Sequence, residues 1–269
     1  MYPIAFNIFG KSIHFYGVFI ALGFICATLV MLYKRNRAGM TKDQIFDLAI
    51  IALFTGIIGA RLLHVIQYWE SGNGLLWIFR IDKGGLVFYG GFLLAITCCC
   101  IYARKKKISM PALLDVTSPA IAIGHAFGRI GCFLQGCCSG KAAPADAWYA
   151  VRYPFHPESS IINDHIILPD GYTQALYPTQ ICESLANFIL CGVLLLLCKK
   201  LRRPGQIAGV YLITYAVIRF ILEFFRGDNP EIMLGLTTSQ NIALFLMIPI
   251  GSVLLVMAKE KKELELKDA

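Results

Sequence analysis

The chain has 269 residues, of which 57% are hydrophobic and 16% charged, with a mean hydropathy of +0.63. A soluble globular domain carries about 25% charged residues, so that class is excluded. The net charge of +8 would suit a nucleic-acid partner, but the positives gather at the ends of apolar blocks, a membrane pattern, and no nucleic-acid partner is expected.

The apolar blocks are about twenty residues long, enough to cross ~30 Å of hydrocarbon. They predict an all-α polytopic membrane protein with seven transmembrane helices. The region from Met1 to Lys11 lacks a basic n-region and a cleavage site, so the first span is expected to be retained. That span covers Phe15 to Tyr33 and opens with Tyr16-Gly17.

The second span, Gln44 to Trp69, carries Arg61 after a run of small residues beginning at Gly56. Small residues let another helix approach closely. Arg61 and His64, three residues apart, share a face. Arg61 reads either as an anchor that snorkels to the interface or as a substrate contact. Gly72-Asn73-Gly74 reads as a turn.

The third span, Leu86 to Ala103, begins in Gly84-Gly85-Leu86-Val87-Phe88-Tyr89-Gly90-Gly91. Four glycines weaken a helix but permit close approach by a ligand or another backbone. Tyr89 puts a phenol there, either as an interfacial aromatic or as a site residue.

The fourth span, Ala112 to Leu134, brings Gly124, Gly128 and Gly131 near one face and carries His125 and Arg129. An arginine at membrane depth costs several kcal/mol unless something compensates it. It can hold a phosphate bidentately, and an anionic lipid head group is the leading candidate here.

Residues 139–177 form a long loop with Trp148, Tyr149, Tyr153, His156 and His165. It is expected to be a small extracytoplasmic head inserted in a single transmembrane domain, 1–269, with Trp148 to Tyr153 able to form a short strand. Loops of this length are usually functional or disordered. The fifth span, Pro178 to Cys198, starts in Tyr177-Pro178-Thr179-Gln180-Ile181-Cys182-Glu183, so Gln180 and Glu183 are expected to point into the bundle. The sixth, Ile207 to Phe225, holds Tyr215, Arg219 and Glu223 at four-residue spacing on one face. They read as a site, or as an internal Arg219–Glu223 pair that only fixes packing. The seventh covers Ile242 to Met257.

Basic clusters follow the first, third, fifth and seventh spans: Lys34 to Lys42, Arg104 to Lys107, Lys199 to Arg203, and Lys259 to Lys262. The N-terminus is therefore expected outside and the C-terminus in the cytoplasm. Seven of the ten cysteines read as small apolar residues. Cys132, Cys137 and Cys138 crowd one turn. They can form a disulfide from Cys132 to Cys137, pack as small residues, or bind a metal.

With these pieces placed, the chain resembles the bacterial prolipoprotein diacylglyceryl transferases over nearly its whole length. The family's signature runs Gly-Arg-x-Gly-Asn-Phe-x-Asn-Gly-Glu-x-x-Gly. Residues Gly128 to Gly140 keep the arginine, the glycines and the phenylalanine. Cys132, Gln135 and Cys137 replace the two asparagines and the glutamate. Gly84 to Gly91 looks like a second family motif, with Tyr89 where a histidine would be, and Tyr177 to Glu183 looks like a third. Tyr16, Tyr215, Arg219 and Glu223 match without change.

The resemblance implies transfer of a diacylglyceryl group from phosphatidylglycerol to a lipobox cysteine of a preprolipoprotein, at the bacterial cytoplasmic (inner) membrane. It implies catalytic roles for Arg129, Arg219, Tyr89 and Glu223. Substrate contacts would come from Arg129, Tyr16, Tyr215, Gly140, Gln180, Glu183 and Arg61. The expected partners are phosphatidylglycerol, the signal peptide and the bilayer, with no metal or organic cofactor. The alternative is a non-transferase of the same fold that uses Cys132, Cys137 and Cys138 for thiol redox or metal chemistry.

Overall fold

The computed structural model describes residues 3–8, 11–69, 77–78, 85–155, 166–227 and 229–267. The turn expected at Gly72-Asn73-Gly74, and Gly84, His156 and His165, lie outside the described residues. The chain divides into two compact units, residues 1–30 with 114–269, and residues 31–113.

Two short strands, β1 (Ile4–Ile8) and β2 (Lys11–His14), form an antiparallel hairpin ahead of α1 (Phe15–Lys34). Then come α2 (Lys42–Gln67), α3 (Phe88–Lys105), α4 (Met110–Gln135), α5 (Thr179–Leu197) and α6 (Gln206–Glu223). A second hairpin, β3 (Glu231–Met233) and β4 (Leu236–Thr237), leads into α7 (Thr238–Ile242). A single π turn at Ala243–Met247 joins α7 to α8 (Ile248–Lys267). Among the described residues, five stretches are long and apolar enough to cross a membrane: Phe15–Ala38, Lys42–Gln67, Thr179–Leu197, Gln206–Glu223 and Thr238–Ala258. The helix α4, which carries Asp115, His125 and Arg129, is not among them.

In the unit of residues 31–113, α2 begins at a capping box. Gln44 N–H donates to Thr41 Oγ1 at 3.2 Å, and Thr41 N–H donates to Gln44 Oε1 at 3.0 Å. The small residues of α2 and the glycines opening α3 answer each other. A Cβ on Gly91 would meet the Gly56 carbonyl, and one on Gly59 would meet that of Gly90. Of the two occupants the sequence allows, the partner at these glycines is another backbone.

In the other unit, the glycines of α4 face α1. A Cβ on Gly23 would lie 3.0 Å from both the Gly124 carbonyl oxygen and Phe127 Cβ, and Gly131 sits against Tyr16. Buried Asp115 ties α4 to the start of α6. Its carboxylate accepts from the N–H groups of Gly205 (3.0 Å) and Ala208 (2.8 Å). An anion at this end complements the helix dipole and satisfies N–H groups that have no partner within the helix. Leu190, Leu194, Ile207 and Tyr211 form the apolar core between α5 and α6.

The loop 139–177 is pinned by isolated bridges. Among them are Val151 to Leu176, Pro154 to Tyr172 and Ile167 to Thr173. The run from Trp148 to Tyr153 forms no strand, contrary to expectation. Val151 pairs with Leu176, but Tyr153 N–H donates to the Thr173 hydroxyl at 3.0 Å, so a side chain takes the place of the next ladder bond. Tyr153 and Leu176 are the loop's buried core, packed with Phe133 at the end of α4.

Candidate functional site

Three helices bring their charged residues to one buried point. Glu183, on the second turn of α5, has a side chain only 1% exposed. Its Oε2 lies 3.0 Å from Arg129 Nε of α4, 3.4 Å from Arg219 Nη1 of α6 and 3.7 Å from Arg226 Nη1 just beyond α6. Its Oε1 lies 3.3 Å from His125 Nε2. That imidazole nitrogen is also 3.2 Å from Arg129 Nε. Neutral with the proton on Nδ1, His125 accepts from the arginine. Protonated on Nε2, it donates to the glutamate.

Glu223 is the second anion. Its Oε2 is 2.9 Å from Arg219 Nη2 and 3.8 Å from Arg226 Nε. Its Oε1 accepts from Thr237 Oγ1 and Asn229 Nδ2, each at 2.7 Å. Arg219 Nη2 also donates to Ser239 Oγ at 3.0 Å. The hairpin β3–β4 and the first turn of α7 thus close one side of the cluster. Tyr215, one turn before Arg219, places its ring 5.4 Å from His125 and stacks on Tyr211.

Among the described side chains, the guanidiniums of Arg129, Arg219 and Arg226 surround the carboxylates of Glu183 and Glu223. Buried ions are tolerated when paired and hydrogen-bonded, and removing one partner is strongly destabilising. A buried site built largely of planar guanidinium donors is suited to a phosphate anion. The expected Arg219–Glu223 pair is formed, and it belongs to a larger network with Glu183.

The turn after α4 is held by the start of α5. Gln180 Nε2 donates to the Cys137 carbonyl at 2.9 Å, and Thr179 Oγ1 to that of Cys138 at 3.2 Å. The Tyr153 hydroxyl donates to Gln180 Oε1 at 3.2 Å, and burial pushes the Tyr153 phenol up, so it remains a neutral donor. Both ends of the Gln180 amide are therefore engaged by protein. Gly140 sits where two backbones cross. Its N–H donates to the Tyr177 carbonyl at 3.1 Å, it bridges to Arg226, and a Cβ there would come within 2.6 Å of Tyr177. No larger residue fits without moving the turn that carries Arg226.

Cys132, Cys137 and Cys138 are free thiols whose sulfur atoms all lie within 4.8 Å of one another. The disulfide considered from Cys132 to Cys137 is not formed. Instead Cys137 Sγ points to the Cys132 carbonyl at 3.7 Å.

The structure thus gathers Arg129, Glu183, Arg219, Glu223 and Tyr215 in one cluster. Gly140 and Gln180 support it through the backbone, and Tyr16 packs on Gly131 two residues after Arg129. Arg61 and Tyr89 belong to the unit of residues 31–113. Arg61 donates to the carbonyls of Ile78 (2.9 Å), Gly85 (3.1 Å) and Trp77, and lies over the Trp77 ring. Tyr89 is exposed on the first turn of α3.

Sequence reasoning missed Arg226, Thr237, Asn229 and Ser239. Arg226 at three residues from Glu223 was a usable signal. Asn229, Thr237 and Ser239 lie before, in and just after the hairpin, whose fold no local spacing reveals.

The model of the family described as prolipoprotein diacylglyceryl transferase matches residues 3–257. The chain is 35% identical over 251 residues to the phosphatidylglycerol–prolipoprotein diacylglyceryl transferase of Clostridium tetani, covering 92% of this chain and 94% of that one. It is 36% identical over 250 residues to the second such transferase of Clostridium perfringens, covering 93% and 92%. It is 31% identical over 260 residues to that of Finegoldia magna, covering 96% of each. These matches and the apolar helices together indicate a multi-pass membrane protein.

Proposed function

The chain belongs to the prolipoprotein diacylglyceryl transferase family, and on that premise we propose that it transfers the diacylglyceryl group of phosphatidylglycerol to the lipobox cysteine of a preprolipoprotein. In the reaction the thiolate sulfur attacks the glyceryl carbon. A thioether carbon–sulfur bond forms as the carbon–oxygen bond to phosphate breaks. Glycerol 1-phosphate leaves with one more negative charge than the diester carried, and the thiol proton passes to it or to solvent.

The buried cluster of Arg129, Arg219 and Arg226 around Glu183 and Glu223 carries this reading. Its planar guanidinium donors match the oxygens of a phosphodiester. Arg129 and Arg219 hold the phosphate and stabilise the charge that develops as it leaves. Glu223 and Glu183 keep the arginines in place until the anion arrives. Tyr16 and Tyr215 flank the head group, and the Tyr89 hydroxyl, in the unit of residues 31–113, serves the transfer. An unassisted phenol has a pKa near 10 and is a poor base at neutral pH, so the arginine field acts on the substrate thiol itself. Gly140 and Gln180 act by fixing the turn beside the site. Arg61 acts by fixing Trp77, Ile78 and Gly85.

We read the whole chain as one membrane domain in the bacterial cytoplasmic membrane, with seven helices crossing. The N-terminus and residues 139–177 lie outside, and the C-terminus lies in the cytoplasm. The substrate signal peptide and the lipid then meet at the outer leaflet.

The test is lipid transfer to a lipobox peptide by purified protein. Arg129→Ala and Arg219→Ala should each lower kcat by about 10²–10³, the effect of removing one donor to developing charge. Full activity in both would sink the mechanism. Tyr89→Phe should lower kcat/KM about tenfold, the worth of one hydrogen bond to an ion, and an unchanged rate would show that the hydroxyl is not used. Rescue of a cell depleted of its own transferase, read as lipoprotein mass, tests the activity in place.

A further inference from the structure

Cys132, Cys137 and Cys138 have no role in the transfer reaction, yet their placement is specific. Cys132 opens the last turn of α4, three residues after Arg129 and on the same face. The chain then reverses at Gly136, with φ of 73°, and passes through Cys138 at φ of 60°. A non-glycine residue in the left-handed region costs about 1–3 kcal/mol and persists only where its surroundings impose it. Here the surroundings are Gln180 and Thr179, which hold the carbonyls of Cys137 and Cys138. In extended backbone, consecutive side chains point to opposite sides. The left-handed residue is what turns the vicinal pair back onto Cys132.

The result is three sulfur atoms within 4.8 Å of one another. A zinc ion bonded to thiolates at about 2.3 Å holds its sulfurs about 3.8–4.0 Å apart. Shifts of less than about 1 Å close the triad around such an ion. Among the described residues no other three side chains with metal-ligating atoms converge in this way. An all-sulfur donor set selects soft cations over Mg²⁺ and Ca²⁺.

We propose that Cys132, Cys137 and Cys138 form a three-thiolate site for a soft d10 cation of the Zn²⁺ and Cd²⁺ class. On binding, three S–H bonds give up their protons to solvent and three metal–sulfur bonds form, with no change of oxidation state. A divalent ion then leaves the site with one net negative charge, which Arg129, one helical turn away, is placed to balance. Solvent supplies any fourth ligand. The proposal does not depend on the transfer reaction, and its test contains no lipid or peptide substrate.

The test is titration of the reduced, metal-free protein in detergent with Cd²⁺, read by its thiolate charge-transfer absorption. One Cd²⁺ per chain is expected. Cys132→Ser, Cys137→Ser and Cys138→Ser should each weaken binding by about tenfold or more, while Cys182→Ser and Cys198→Ser should not. Sub-stoichiometric uptake, or binding indifferent to the three substitutions, overturns the site. If a serine variant does not fold, alkylation of the wild type decides. Cd²⁺ should protect these three thiols and leave Cys182 reactive. Equal labelling of the triad with and without Cd²⁺, or a disulfide between two of its members in protein kept under reductant, overturns it.

Discussion

Arg61 and Arg219 are both largely buried arginines in helices apolar enough to cross a membrane, and they are held in different ways. The guanidinium of Arg61 donates to main-chain carbonyls at Trp77, Ile78 and Gly85. That of Arg219 lies between the carboxylates of Glu183 and Glu223, which it shares with Arg226. Main-chain carbonyls are neutral and fixed, so Arg61 works as a staple for the segments it holds. The carboxylates beside Arg219 are charged and shared with Arg129 and Arg226, so these guanidiniums are held as one group. The residue type is the same in the two places, and the described partners differ: main-chain carbonyls for Arg61, carboxylates for Arg219.

The largest effect expected from breaking this contrast is at Glu183. Glu183→Ala removes the anion that Arg129, Arg219 and Arg226 share. The loss should be about 3–5 kcal/mol, as for other buried networks stripped of one partner. Thermal unfolding in detergent would read it, and an unaltered midpoint would mean that the three arginines are not coupled through this side chain. The next effect is at Arg61. Lysine offers a compact charge in place of a planar fork, so Arg61→Lys should cost about 2 kcal/mol of stability, near the worth of one hydrogen bond to a charged group. It should raise KM more than it lowers kcat. A fall in kcat like that of Arg219→Ala would erase the distinction between the two arginines.

The smallest effect is at the exposed pair in the loop, where Arg152 Nη2 meets Asp170 Oδ2 at 2.6 Å. The hydrogen bond from Arg152, helped by the Tyr172 N–H, holds the Asp170 carboxyl below its usual range. The folded chain therefore binds this proton less readily than the unfolded chain. The pair's contribution is complete above the ordinary aspartate pKa near 4 and is lost as pH falls through the lowered value. Surface pairs contribute little. Asp170→Asn should lower the unfolding midpoint slightly at pH 7 and not at all in strong acid. A difference that survives acidification would show that Asp170 acts through something other than its charge.

The periodic part of the site was legible before any coordinates. Tyr215, Arg219 and Glu223 repeat at helical spacing, and Arg129 sits within an apolar run, so a helix alone puts them in place. Glu183 was legible as a residue facing the bundle, but its position at the centre of three arginines was not, because that depends on how α4, α5 and α6 pack. Arg226 follows Glu223 by three residues, but Asn229 and Thr237 lie beyond the helix, and only the chain's return through the hairpin brings Thr237 to Glu223. The glycines opening α3 had two readings in sequence, a ligand or a backbone, and only the positions of Gly56 and Gly59 decide for the backbone. The aromatic run in the loop has strand composition, yet Thr173 takes up the Tyr153 N–H through its side chain. Composition does not encode that substitution.

The π turn at Ala243–Met247 acts as a phase shifter. One extra residue in a helical turn rotates everything after it by about 100°. Before it, Thr237, Ser239 and Gln240 are phased toward Glu223, Arg219 and the Phe220 carbonyl. After it, Gly251 is phased toward Gly209, so that α8 can lie close along α6. A straight helix could align one of these sets but not both. Removing a single residue from this turn should therefore uncouple the anion-holding end from the rest of the helix while leaving each half, taken alone, intact.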